Sequence, residues 1–189
     1  VRPVVGYSQL RGPAAQGGAV RVGANVGRQW FLTGDSPVQG GGNIGLVATA
    51  PIGQATGFLV HGEALAGPWL GPVGLRVGPT LKVERESWVQ GDALLDTALL
   101  VGGRAVLTVD AGVLKPFVEV EPNAVVAGER ASVPSPVLLP VLGTETTYGA
   151  GLGLHTGWLY MTGKVHWRET AVGRLLDVGV GITLRPGGG

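Results

Sequence analysis

The sequence predicts an all-β fold, an antiparallel up-and-down β-barrel. Three observations carry that prediction: apolar side chains recur with period two, glycine and proline are abundant, and the charges fall in the phase opposite the apolar one. In the last third of the chain Tyr148, Ala150, Leu152 and Leu154 alternate with glycines, and His155 follows in the glycine phase. Leu159, Met161, Val165 and Trp167 oppose Thr162, Lys164, His166 and Arg168; Leu176, Val178, Val180, Ile182 and Leu184 oppose Asp177, Thr183 and Arg185. Successive side chains on a strand point to opposite faces, so this period marks strands with one apolar face. The 35 glycines and 13 prolines weigh against helices.

Taken in order, residues 19 to 32 place Val20, Val22, Ala24 and Val26 opposite Arg21, Asn25 and Gln29. Residues 33 to 42 are polar and glycine-rich and read as a loop. Ile44, Leu46, Ala48 and Ala50 form the next apolar face, Pro51 to Gly53 turn it, and Phe58, Val60 and Ala64 face away from His61 and Glu63. After Gly67 and Pro68, Val73, Leu75, Val77, Leu81 and Val83 oppose Arg76, Thr80, Lys82 and Glu84. Ala93, Leu95, Leu99 and Val101 then oppose Asp92 and Asp96, and Ala105, Leu107 and Val109 oppose Arg104 and Thr108. Gly102 and Gly103 between them mark either a hairpin or a bulge in one long strand.

A short turn through Leu114 to Pro116 leads into Val118 and Val120, opposite Phe117, Glu119 and Glu121. Residues 128 to 144 contain three prolines and form the longest expected loop, and strands near 145 to 155, 158 to 168 and 174 to 186 complete the chain. If Gly102 and Gly103 are a hairpin, residues 19 to 186 hold ten strands and residues 1 to 18 are an N-terminal extension. If they are a bulge, the first residues supply the tenth strand. Both routes give about ten, with eight to twelve compatible, in a single domain over residues 1 to 189.

Only 14% of residues are charged and the mean hydropathy is +0.30, too little charge to clothe an ordinary soluble domain, where about a quarter of residues are charged. No run approaches the roughly 18 to 20 apolar residues of a membrane helix. The absence of cysteine removes disulfides, zinc-thiolate sites and thiol nucleophiles. A net charge of +1 with scattered arginines argues against a nucleic-acid partner. The sequence opens at Val1 without Met or a secretory signal, so an exported chain is expected to have had its signal peptide removed.

The polar phase carries Arg21, Arg76, Lys82, Arg104, Lys164, Arg168 and Arg185 against Glu63, Glu84, Asp92, Asp96, Asp110, Glu119, Glu121 and Asp177, with His61, His155 and His166 in the same phase. Such a near-balance is needed in a narrow membrane-barrel lumen, where an unpaired ion costs several kcal/mol, but not on a solvated surface. The apolar phase holds only Arg28 and Arg85 as clear exceptions, both near expected strand ends, where lipid tolerates them. Glycines such as Gly149, Gly151, Gly153, Gly179 and Gly181 fill the polar phase and leave room for long charged side chains. The only lysines are Lys82, Lys115 and Lys164, few for a water-facing exterior. Trp30, Trp69, Trp88, Trp158, Trp167, Phe31, Tyr148 and Tyr160 mostly fall near strand ends, as interfacial girdles do. The polarity therefore predicts a transmembrane barrel.

The segments Lys115 to Val120, Gly149 to Leu154 and Asp177 to Leu184 resemble strands of the small bacterial outer-membrane β-barrels of the OmpA-like and OmpW-like kind, although Glu121 and Pro122 stand where those barrels usually have glycine. The resemblance implies an integral outer-membrane barrel surrounded by outer-membrane lipid.

Enzymatic readings have less behind them. His166 and Lys164 share one strand face and Asp92 and Asp96 another, which makes a rim hydrolase conceivable, but a lumen salt-bridge network accounts for the same residues. Ser132 and Ser135 lie in the long loop and no GxSxG motif is present. The three histidines lack metal spacing, and the glycine runs lack the Lys and Ser or Thr of a phosphate loop. The expectation is a non-enzymatic barrel without cofactor or metal, its lumen largely plugged. Its work would be structural, adhesive or complex-forming, with loops 33–42 and 128–144 meeting other envelope proteins. A narrow porin-like channel and a soluble lipocalin-like barrel around a hydrophobic ligand are the alternatives.

Overall fold

The computed structural model describes residues 2–11, 16–32, 37–88, 94–128, 144–156, 159–170 and 173–184; within these, the side chains of 2, 10, 16, 31, 86–88, 94–97, 144, 168–170, 173, 174, 183 and 184 are outside the description. The described residues form ten strands: β1 (Arg2–Arg11), β2 (Gln16–Leu32), β3 (Val38–Gly53), β4 (Ala55–Leu70), β5 (Val73–Trp88), β6 (Leu94–Val109), β7 (Leu114–Gly128), β8 (Thr144–His155), β9 (Leu159–Thr170) and β10 (Gly173–Leu184). Each pairs antiparallel with its chain neighbours, and β1 closes on β10 through a register that includes Val5 opposite Val180 and Ser8 opposite Asp177. Closure leaves no edge strand to be capped.

The ten strands arise by the second of the two counts. Gly102 and Gly103 continue β6 without turning, paired with Thr80 and Pro79 of β5. They are not the bulge either: on β6 and β7 the register slips between Leu99 and Leu100, where Val126 is the extra residue. The first residues are β1, paired on both sides, not an extension.

One expected loop and three expected turns move by a few residues. Gly40 to Gly42 belong to β3 and pair with Leu32 to Trp30, so the expected loop loses its second half to the sheet. Trp30 lies over Gly42, where a Cβ would collide with the indole. Pro51 and Ile52 remain in β3, and Gln54 alone links it to β4. Leu114 to Pro116 open β7; the turn before them is Ala111 to Val113, with the Ala111 N–H donating to the Leu114 carbonyl at 2.9 Å and Gly112 at φ +74°. A positive φ favours glycine there. Gly67 and Pro68 likewise stay within β4, and Gly71 and Pro72 make the turn.

Up-and-down connectivity divides the connections between two rims. The lower rim holds the start of β1, the end of β10 and the links β2 to β3, β4 to β5, β6 to β7 and β8 to β9. The upper rim holds the links β1 to β2, β3 to β4, β5 to β6, β7 to β8 and β9 to β10. Of the expected contact loops 33–42 and 128–144, residues 33–36 and 129–143 lie outside the described residues. The strand ends they join lie at opposite rims.

Candidate functional site

The alternation read from the sequence becomes an inside and an outside. Outward positions are apolar and open on all ten strands, including Val5 at 54%, Ile44 at 58% and Val118 at 53% exposure. Arg28 and Arg85 are also exposed, each within four residues of a strand end. Inward positions hold the charges: Arg21, Lys82, Glu84, Glu119 and Glu121 are buried among the strands. A soluble lipocalin-like barrel would have the reverse polarity. Inward glycines admit these long side chains, since a Cβ at Gly149 would run into Glu119 and His166, and one at Gly151 into the Phe117 ring.

In the upper half, the described lumen cations meet carboxylates. Ser8 links Arg21 to Asp177, and Arg21 Nε lies 3.2 Å from Asp177 Oδ1. Lys82 Nζ lies 2.8 Å from Glu121 Oε1, with His61 Nε2 at 3.5 Å from the same oxygen. Asn123 donates to that oxygen at 3.2 Å and accepts from Thr80 Oγ1 at 3.2 Å. Glu84, Glu145, Leu100 and Leu175 are fully buried side chains there.

Midway down, Arg104 bridges the lumen. Its two terminal nitrogens engage Glu63 of β4 and Glu119 of β7. Glu119 takes His166 with its other oxygen, and Glu63 takes Asn43 Nδ2 at 2.6 Å. Both carboxylates are therefore engaged at both oxygens. Arg76 donates to Asn43 Oδ1 at 3.0 Å and to Thr108 Oγ1 at 3.5 Å, both neutral acceptors. At the lower rim, Lys115 Nζ pairs with Asp110 Oδ2 at 2.6 Å. The Lys115 hydrogen bond, followed by the Gly112 N–H, holds the Asp110 carboxyl below the usual carboxylate range.

A cavity of about 380 Å³ extends from the Arg104 bridge toward the lower rim. Its lining runs from Lys115, His155 and Tyr160 near the lower rim to His61 and Lys164 midway. Trp69 and Tyr160, expected in the outer aromatic girdle, line this cavity instead. Tyr148 and Trp167 do stack on the outer face, with ring centroids 5.5 Å apart.

Of the residues expected in the lumen network, Arg21, Glu63, Lys82, Arg104, Glu119, Glu121 and Asp177 join ion pairs there, and His61 and His166 lie against the carboxylates of Glu121 and Glu119. Glu84 is buried in the upper half. Arg76, His155 and Lys164 line the cavity. Asp110 is a correction: it belongs to the β6–β7 turn at the rim, because the strand ends at Val109. Asp92 and Arg185 lie outside the described residues, as do the side chains of Asp96 and Arg168. The residues missed from sequence are Asn43, Thr108, Trp69, Phe117 and Tyr160, which sit in the inward phase as neutral partners and walls. Among the described residues no group of three His, Cys, Asp or Glu is placed to hold a metal ion.

No family model matches the chain, and no curated protein matches it. Among solved structures, the chain is similar to the NanC porin in a rhombohedral crystal form, at TM-score 0.46 and 8% identity, covering 97% of this chain and 99% of that one. It is also similar to the transport unit of the autotransporter AIDA-I from Escherichia coli, at TM-score 0.45 and 11% identity, covering 97% of this chain and 89% of that one.

Proposed function

We propose that this chain is an integral β-barrel of the bacterial outer membrane, closed to free diffusion by side chains in the upper half of its lumen. It acts as a structural, adhesive or complex-forming envelope component and not as an enzyme. The observation that carries the reading is the polarity of the wall: open apolar side chains on every strand and buried charges within. A closed belt of this kind far exceeds the few hundred Å² of apolar patch usual on a soluble monomer, and lipid is the environment that covers it on all sides. The packing of Leu100, Leu175, Glu84 and Glu145 supports closure of the upper half.

Outer-membrane barrels carry short turns on the periplasmic side and longer loops outside. The longest connection, residues 129–143, joins strand ends at the upper rim, so that rim faces outward and offers the contact loop. The lower rim, where β2 ends and β3 begins, then faces the periplasm. A narrow channel is the second reading, favoured by the cavity that extends from the Arg104 bridge toward the lower rim.

Two measurements test this. The protein partitions with detergent or vesicles and aggregates without them; a chain that stays monodisperse in plain buffer would overturn the membrane reading. Reconstituted into a planar bilayer, it gives no stable conductance steps; reproducible single-channel steps would replace the closed barrel with the channel.

A further inference from the structure

We propose that the lower half of the lumen is a binding site for a small organic oxyanion, a carboxylate or phosphate ester, held by Arg76 and Lys164. The inference goes beyond the envelope role and does not depend on it, since a closed barrel and a conducting one both contain the cavity.

Among the described inward-facing cations, Arg21, Lys82, Arg104 and Lys115 each have a carboxylate within ion-pair distance. Arg76 of β5 and Lys164 of β9 do not. Arg76 reaches only an amide and a hydroxyl oxygen, and its Nε has no acceptor. Lys164 has no hydrogen bond or ion pair among the described residues. Both line the same cavity.

The nearby carboxylates cannot be reassigned to them without loss. Glu63 is held by Asn43 and Arg104, and Glu119 by Arg104 and His166. The inward lining carries four cationic side chains, Arg76, Arg104, Lys115 and Lys164, against two carboxylates, Glu63 and Glu119, and of the four Lys115 is matched by Asp110. In a partly desolvated lumen, an unmatched cation attracts an anion far more strongly than it would in water. Arginine offers a planar fork suited to carboxylate and phosphate, and lysine a point charge.

The size and walls narrow the ligand class. A cavity of about 380 Å³ falls in the range of small-molecule pockets. Trp69, Phe117 and Tyr160 line it beside the two cations, giving an apolar surface for the body of an organic anion.

The test is isothermal titration of the full chain in detergent micelles with benzoate, with inorganic phosphate, and with choline as a cation of similar size. Benzoate or phosphate binds and choline does not. Arg76→Gln and Lys164→Gln each weaken anion binding about tenfold, the loss expected for one charge-assisted hydrogen bond. Lys164→Arg retains binding, and Arg85→Gln, which removes an outward cation, leaves it unchanged. Should Lys164→Gln fail to fold by circular dichroism, Arg76→Gln alone decides. Absence of anion binding up to about 10 mM, equal binding of choline, or anion binding indifferent to Arg76→Gln would each overturn the proposal. A silent titration beside a membrane-inserted, non-conducting barrel would refute this site and leave the envelope role standing.

Discussion

The two halves of the lumen solve the problem of buried charge differently. In the upper half Arg21 rests on Asp177 and Lys82 on Glu121, among fully buried Leu100, Leu175 and Glu145. In the lower half Arg76 and Lys164 face a cavity without a carboxylate of their own. The layer of Arg104, Glu63, Glu119 and His166 divides them. In the upper half the charges are matched and packed, whereas the lower half leaves charge and space together. Overall balance of charge, visible in the composition, therefore hides a local excess.

Matched lysine substitutions break the comparison most directly. Lys82→Met strands Glu121 in a packed interior and should cost about 3 to 5 kcal/mol in denaturant unfolding from micelles. The outer wall is the next largest effect: Leu81, its outward neighbour at mid-strand, becomes a lipid-facing charge in Leu81→Arg, at about 2 to 4 kcal/mol in bilayers. The same change at Leu70, at a strand end, should cost about 1 kcal/mol or less. Lys164→Met should change stability by less than about 1 kcal/mol, because it strands no carboxylate. A cost equal to that of Lys82→Met would show that the lower half is as tightly matched as the upper.

The smallest effect is at the lower rim. The Asp110 carboxyl has its folded pKa depressed by Lys115. Its contribution is therefore complete above the unfolded carboxylate value of about 3.9 and is lost as pH falls through the lower folded value. For an exposed pair this amounts to about 0.2 to 1 kcal/mol. Acid titration of stability should differ from that of Asp110→Asn by that amount at neutral pH and converge with it in strong acid.

Much of this was legible in the sequence because the barrel wall enforces parity. Every strand has one lipid-compatible face, and Val178, Val180 and Ile182 against Asp177, Gly179 and Gly181 show it without any knowledge of pairing. The reading failed where both faces are apolar. Leu65 lies between Ala64 and Ala66, Leu100 between Leu99 and Val101, and Val106 between Ala105 and Leu107, so their inward burial is masked by a continuous apolar run. Gly102 and Gly103 were ambiguous because a glycine pair can turn a chain or continue it. Which cation meets which carboxylate depends on the register of ten strands, as with Arg104 reaching from β6 to both β4 and β7. That register is not written in any one segment.

The central claim is that the apolar phase faces lipid and the charged phase the lumen. The chain has no cysteine, so single cysteines at 178, 179, 180 and 181 can each carry the sole spin label. In reconstituted bilayers, collision with dissolved oxygen, which concentrates in lipid, should be frequent for labels at Val178 and Val180 and infrequent at Gly179 and Gly181. Frequent collision at Gly179 and Gly181 with protection at Val178 and Val180, or equal accessibility at all four, would contradict the account.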